Sequence, residues 1–495
     1  MEKQSTSYKQ ILKSTSLFGG VQIFNILLSV IKTKIITVLV GASGLGVLGL
    51  LTSTVKLIVD FTKLGLETSA VKEISEYDSK ANRSEFHSFV DVLNKVVWFT
   101  AIIGALLCMF FSGWLSTWAF GNSNYKIEFM WLSLAVFFTQ LTNGKKAILQ
   151  GTRQLKKLAK ANLWGSFLGL LVAIPIYYYY KIDGIVPSII LSVIIAYFIV
   201  VLYVEHKGFK IRKIGIVETF KKSKSMLSLG LSLSVNSLIV ALTLWLIQIY
   251  IRNSGGLQEV GYYSAGMLII NSYVGLIFNA MGTDYFPRLS AINKDNSLIQ
   301  KVVNEQAEIA VLLITPIIAV FFVFAPLVLQ LLYSQEFIVI LGFVTFGVLG
   351  TLFKAISFTL GYVIIAKGSS KLFIKISIVF NFLMLLISFF SYKAGGLTGL
   401  GVGLVIYYII HFVTLKILTG YYYQLNLKKS FYRIFFICIS ICVFSYLGTL
   451  VQNRFLHYLW LTLMAIVSLI FTFTEIQKRI NIKYLIKGFF KKIEK

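Results

Sequence analysis

Apolar stretches of about 20 residues, parted by short polar connections, recur along the whole chain. Each is long enough to cross ~30 Å of hydrocarbon as a helix. The pattern predicts spans near 14–40, 46–71, 87–112, 127–150, 161–181, 185–204, 226–251, 260–282, 302–324, 338–366, 372–392, 399–423, 434–451 and 458–474. An even number of spans places both termini on one side.

The chain also repeats itself. The turn around Gly46 returns at Gly261, 215 residues on. Phe111-Ser112-Gly113-Trp114-Leu115, an exposed segment leading to Phe120, returns as Phe324-Ala325-Pro326-Leu327-Val328 leading to Tyr333, an offset of 213. Tyr180-Lys181-Ile182-Asp183-Gly184 returns as Tyr392-Lys393-Ala394-Gly395-Gly396, an offset of 212. Three matches in order at nearly constant spacing mark an internal duplication. The expected fold is an all-α integral membrane protein of about 14 transmembrane helices, in two pseudo-symmetric six-helix lobes plus two C-terminal helices. The lobes are residues 1–204 and 226–423, joined by a basic, amphipathic linker at 205–225. Residues 424–474 hold the two extra helices, and 475–495 form a basic tail read as a membrane-surface helix.

Composition adds the class. The 495 residues are 57% hydrophobic, with a net charge of +27 and a mean hydropathy of +0.79. Such a charge would suit nucleic acid, but the basic residues lie almost entirely in alternate connections, among them Lys3, Lys72, Lys145, Lys146, Lys210, Lys294, Lys371 and Lys429. The opposite connections hold only Lys126, Lys181, Arg252, Lys393 and Arg454. That asymmetry is a topology signal: it predicts cytoplasmic termini and no nucleic-acid partner. The first span follows Lys3, Lys9 and Lys13 without a small-residue cleavage pattern and reads as a retained anchor. Cys108, Cys438 and Cys442 all fall within spans and suggest neither a disulfide nor a metal site.

The informative residues are the charges that remain inside the spans, because each costs about 2.5–3.5 kcal/mol at bilayer depth on insertion scales. Lys56, Asp60, Lys63 and Glu67 are spaced i, i+4, i+7 and i+11, one stripe on a helix that is otherwise apolar. They read as the wall of a water-filled cavity, or as structural pairs Lys56–Asp60 and Lys63–Glu67. Lys32 shares a face with Asn25 and Ser29 and is the candidate that periodicity selects, whereas Lys34 points about 200° away. In the second half Lys354 lies midway along a long span, too deep to snorkel. Asn236, Gln248, Asn271, Asn279 and Asn381 read as packing residues, and His411 as a packing residue or a proton-coupling group. Four lysines in the first two spans point to an anionic ligand.

Gly44-x-Gly46-x-x-Gly49 spells a dinucleotide fingerprint but follows no strand, so it reads as a tight turn with close helix packing. No catalytic or nucleotide-hydrolysing motif is present, and the connections are too short for a catalytic domain. The chain is expected not to be an enzyme and to need no cofactor, with an H+ or Na+ gradient, or the substrate's own gradient, as the driving force.

Val260-Gly261-Tyr262-Tyr263-Ser264-Ala265 and Tyr285-Phe286-Pro287-Arg288-Leu289-Ser290 resemble the seventh-to-eighth span region of the multidrug/oligosaccharidyl-lipid/polysaccharide flippase superfamily. Leu360-Gly361-Tyr362-Val363-Ile364-Ile365-Ala366-Lys367 and Gly41-Ala42-Ser43-Gly44-Leu45-Gly46 resemble its O-antigen and enterobacterial common antigen translocases, the Wzx group. The resemblance implies a flippase of the bacterial inner membrane. Its substrate would be an undecaprenyl-diphosphate-linked oligosaccharide, with membrane lipid, a polysaccharide polymerase and a chain-length regulator as partners. It further implies a cationic cavity that opens sideways between spans 1 and 8 for the lipid tail. Relatives carry a basic residue ten positions before the Gly-Leu-Gly turn, here Lys34, so resemblance and periodicity select different lysines. They also carry a lysine matching Lys354, while an acidic neighbour three residues earlier is Thr351 here. Lys32, Lys34, Lys56, Lys63 and Lys354 are the substrate-binding candidates, with Asp60, Glu67 and Asn25 as polar neighbours. Open alternatives are a peptidoglycan lipid-precursor flippase, a cation-coupled exporter of the same superfamily, and a membrane polysaccharide polymerase.

Overall fold

The computed structural model describes residues 2–79, 83–204 and 216–479, and every element among them is helical. The elements are α1 (Glu2–Thr62), α2 (Leu66–Ser79), α3 (Arg83–Phe110), α4 (Ser112–Phe120), α5 (Lys126–Gly151), α6 (Leu155–Tyr180) and α7 (Ile185–Tyr203). They continue as α8 (Ile216–Leu268), α9 (Leu276–Ala291), α10 (Asn296–Leu332), α11 (Leu341–Ala366), α12 (Ser370–Tyr423), α13 (Lys429–Gly448) and α14 (Arg454–Arg479). A π-helical turn, Ile269–Val274, joins α8 to α9. With no water in hydrocarbon to satisfy amides, apolar segments of this length close their hydrogen bonds internally.

Ten helices among the described residues are long and apolar enough to cross a membrane. Three of them are broken by glycine: α1 at Gly41, α8 at Gly256 and α12 at Gly395–Gly396. Helix α5, expected as a span, is not one of the ten. The α12 break is a reversal, because Phe380 meets Tyr407 at 6.3 Å between ring centroids and a Cβ at Gly403 would strike the side chain of Ser391. The α1 break is one also. Residues 28–32 and 52–59 border a common patch formed by Thr139, Asn143 and Val193. An unbroken helix at 1.5 Å per residue would hold those two stretches tens of ångströms apart.

The backbone records the duplication. Gly41 (φ 65°, ψ −169°) and Gly256 (φ 81°, ψ −176°) share one left-handed conformation that favours glycine, 215 residues apart. Gly46 and Gly261, at the same offset, cross each other. A Cβ on Gly46 would lie 1.9 Å from the Leu257 carbonyl oxygen, and one on Gly261 would lie 1.9 Å from that of Ala42. Each contact is the other's counterpart under the 215-residue shift, as at a pseudo-two-fold crossing. From there α1 and α8 run antiparallel. Ser53 donates to Gln248 at 2.6 Å, the Trp245 indole donates to Thr54 at 2.8 Å, and Gly65 meets the Gly230 carbonyl.

By contacts the chain divides into two compact units, Met1–Ser264 with Leu332–Ser334, and Ala265–Leu331 with Gln335–Lys495. Similarity along the chain and contact in space are different divisions, and α8 follows its contact with α1. The first unit's core joins α2, α3, α5, α6 and α7 through Leu66, Ile74, Phe89, Leu93, Leu141, Leu158 and Val200. In the second, Glu308 of α10 accepts hydrogen bonds from Ser430 of α13 and Arg479 of α14, each at 2.8 Å. Arg479 also holds Glu475 at 2.7 Å, so α14 continues into the stretch read as a tail. Residues 480–495 and 205–215 of the tail and linker lie outside the described residues.

Candidate functional site

The quartet predicted to be one helical stripe is divided between two helices. α1 ends at Thr62, Lys63 begins the turn, Leu64 (φ 48°) and Gly65 (φ 65°) are left-handed, and Glu67 lies in the first turn of α2. The break falls where Gly65 is pressed on the backbone of Gly230. The charges nonetheless stay together. Asp60, 2% exposed, pairs with Lys56 and, at 2.7 Å, with Lys63; Lys63 also reaches Glu67 at 3.3 Å. Two lysines and two carboxylates form one self-neutral network.

This network borders a cavity of about 410 Å³, together with Thr52, Thr139 and Asn143. A second cavity of about 380 Å³ shares Thr139, Asn143 and Val193 with it, so the two adjoin in the first unit. The second holds Lys32 and Ser29 from α1, Thr139, Thr142, Asn143 and Lys146 from α5, Ser166 from α6 and Ser192 from α7. Close approach of α6 to α7 comes from Gly169, where a Cβ would already be 3.3 Å from the Ser192 side chain. Among the described residues no carboxylate lines this second cavity.

Lys146 is not among the sequence-predicted site residues. Charge counting places it, with Lys145, on the basic side, at the end of the predicted span 127–150; α5 ends at Gly151 and carries both lysines in its last turns. Lys145 turns away to donate to Asn94 at 3.2 Å. Lys146 faces the cavity, and the signal for it is present in the sequence: Thr139, Asn143 and Lys146 recur at i, i+4 and i+7, one helix face. Of the two first-span lysines, Lys32 lines the cavity, whereas Lys34 donates to the backbone carbonyl of Tyr333. The side chain of Asn25 lies outside the described set, as does that of Asn279.

In the second unit Lys354 of α11 is enclosed by aromatic rings. Its Nζ donates to Asn271 Oδ1 at 2.9 Å and lies 5.5 Å from the ring centroids of Phe278 and Tyr408. Asn271, expected to serve packing through hydrogen bonds, makes its bond between elements, to this lysine. It sits in the π-helical turn, a local widening that recurs at functional positions. The ring faces give the ammonium partial compensation by cation–π attraction without neutralising it. Next to it on α12, His411 stacks on Tyr407 at 5.7 Å, with its Nδ1 buried and unbonded among the described residues. Gln248 and Asn381 serve packing, the first across α1–α8 and the second within its own helix at Ser377.

Chemically, the first unit offers an ion-pair network and, beside it, two lysines with hydroxyl and amide donors. Asp60 is the member on which the network depends. Asp60→Ala leaves Lys56 and Lys63 without their shared partner and is expected to cost about 3 kcal/mol, the scale of a broken buried ion pair. Thermal unfolding of the purified protein in detergent checks this. Asp60→Asn, which keeps a hydrogen-bond acceptor, should fall between it and the wild type.

Comparison with known proteins agrees with this architecture. Residues 35–341 match the family described as polysaccharide biosynthesis protein. A protein of Shigella flexneri proposed to be an O-antigen transporter is 24% identical over 318 residues, which cover 62% of this chain and 74% of that one. Among solved structures, the lipid II flippase MurJ in an inward-closed conformation is similar with a TM-score of 0.69 at 12% identity, covering 94% of this chain and 99% of that one. An inward-facing multidrug resistance transporter of the MATE family has a TM-score of 0.66 at 15% identity, covering 83% and 98%. With more than half its length matched, the chain belongs to the polysaccharide biosynthesis protein family, as a multi-pass membrane protein with the fold of the multidrug/oligosaccharidyl-lipid/polysaccharide flippase superfamily.

Proposed function

We propose that the protein is a flippase. It carries an undecaprenyl-diphosphate-linked oligosaccharide, an O-antigen-type repeat unit, from the cytoplasmic to the outer leaflet of the bacterial inner membrane. The observation that carries this reading is the polar cavity of the first unit, lined by lysines in excess of carboxylates within otherwise apolar helices. A diphosphate cannot cross hydrocarbon bare, and ammonium groups in a low-dielectric cavity compensate its charge. Hydroxyl and amide side chains supply bonds for sugar, while the polyprenyl tail stays in lipid. Both termini are cytoplasmic in this reading, supported by the basic connections on their side. Alternating access driven by an H+ or Na+ gradient completes the cycle, with a polymerase and a chain-length regulator receiving the product. An exporter of cations is disfavoured, because unpaired lysines repel its substrate.

The test is expression in a bacterium whose own O-antigen flippase has been deleted. Accumulated lipid-linked repeat units should become accessible to a membrane-impermeant periodate probe, and surface polysaccharide should return. Unchanged inward orientation, with export of a fluorescent cationic drug instead, would refute the reading.

A further inference from the structure

Two hydrogen bonds at the span ends away from the termini mirror each other across the duplication. Lys34, near the end of the first half of α1, donates to the carbonyl of Tyr333, the residue that follows α10. Arg252, near the end of the first half of α8, donates through Nη2 to the Trp118 carbonyl in the last turn of α4, at 2.8 Å. Lys34 and Arg252 precede the left-handed glycines Gly41 and Gly256 by seven and four residues. Phe120, which the repeat aligns with Tyr333, lies two residues past Trp118. Each copy of the repeat therefore sends one cation from its first span to a helix end of the other copy. All four residues belong to the first compact unit.

The last carbonyls of a helix have no partner within it and carry the negative end of its dipole, so a cation there is stabilised. At α4 the fit is close. Gly121 is left-handed at φ 76°, and a Cβ on it would stand 2.1 Å from Arg252 Nη1. The guanidinium is not fully satisfied, because its Nε is buried and unbonded among the described residues. A charge-assisted bond to a neutral carbonyl strands no counter-charge when it parts, unlike a buried ion pair. Such a contact suits surfaces that separate and re-form in every cycle. In a transporter whose two repeats rock against each other, contacts between the repeats at one end hold that end shut.

We propose that Lys34 and Arg252 are paired latches that keep the transport path shut on the side away from the termini, and that both part when it opens there. Lys34 then holds a helix end instead of substrate. The assignment rests on the alternating access of the flippase reading and adds to it the residues that bias one state.

The experiment uses Thr52→Cys as a reporter, because Thr52 lines the cavity beside Lys56 and the native Cys108, Cys438 and Cys442 are buried. A membrane-impermeant maleimide is applied to spheroplasts and to inverted vesicles, with a protease-sensitive C-terminal tag marking the side of the termini. From the side away from the termini, Lys34→Gln and Arg252→Gln should each speed labelling about fivefold, as for one lost hydrogen bond, and the double variant about 25-fold. From the side of the termini, labelling should stay at or below the wild-type rate, since opening one side closes the other. Lys126→Gln removes an exposed cation from the same side and should label like wild type. Equal acceleration by Lys126→Gln would make the effect one of surface charge and overturn the latches. Unchanged labelling in both latch variants would overturn them too and leave the flippase reading standing. Faster labelling from both sides would do the same, because loosened packing and not a one-sided gate would be the cause. The labelling needs no substrate, so failure to turn lipid-linked sugar would remove the flippase reading alone.

Discussion

Gly46→Leu should leave little folded protein in the membrane. The new Cβ alone would stand 1.9 Å from the Leu257 carbonyl oxygen and 3.1 Å from the Gly261 amide nitrogen, and both are backbone atoms that cannot rotate aside. In hydrocarbon no hydrophobic force draws helices together, so small residues that admit a neighbouring backbone supply much of the association. Overpacking costs about 1–3 kcal/mol where side chains can shift; here two helix backbones must part, and about 3 kcal/mol or more is expected. Gly46→Ala should show a smaller loss of the same kind. Combining it with Gly261→Ala should cost less than the sum, because both act on one crossing. Gly395→Ala is the control, since a Cβ there meets nothing within 4 Å. Fluorescence size-exclusion chromatography after heating ranks the five variants, the Gly261→Ala single variant included. Wild-type behaviour of Gly46→Leu would mean that α1 and α8 do not cross as described.

Lys354→Ala should cut export of lipid-linked sugar steeply while leaving the amount of protein in the membrane near wild type. The side chain ends in a box of Asn271, Phe278 and Tyr408, with no ion pair among the described residues. Its removal takes away a charge without stranding a buried carboxylate, so function should suffer more than stability. A lost charge-assisted contact of about 1.5–3 kcal/mol corresponds to roughly a 10- to 100-fold drop in rate. Lys354→Arg should recover part of it. The checks are surface polysaccharide in the flippase-deleted strain and, in parallel, membrane abundance by immunoblot. Full export by the alanine variant would remove Lys354 from the mechanism.

Much of this site could be read from periodicity, and the failures are instructive. Ser29 and Lys32 share a helix face, and both line the cavity. Lys146 carries the same signal through Thr139 and Asn143. It is overlooked because it follows Lys145 at the end of an apolar stretch, where positive charge is ordinarily explained by topology. The Lys56–Glu67 stripe was legible as a set of interacting charges but not as a bent one. Its geometry depends on Gly65 meeting Gly230, 165 positions away in the chain. Asn271 looked like a packing residue because the lysine it serves is 83 residues distant.

By itself the sequence determined that the chain lives in a membrane, that it does so as many apolar helices, and that its halves resemble each other. Those properties depend on transfer of local segments into hydrocarbon and on similarity along the chain, both linear quantities. Only the tertiary structure decided which lysines are already engaged within the protein. Compensation is a matter of distance between groups: Asp60 and Glu67 together neutralise the two lysines beside them, Tyr333 occupies Lys34, and Lys32 and Lys146 reach one cavity from different helices. Charge is written in the sequence, but whether it is spent inside the protein depends on which helices touch.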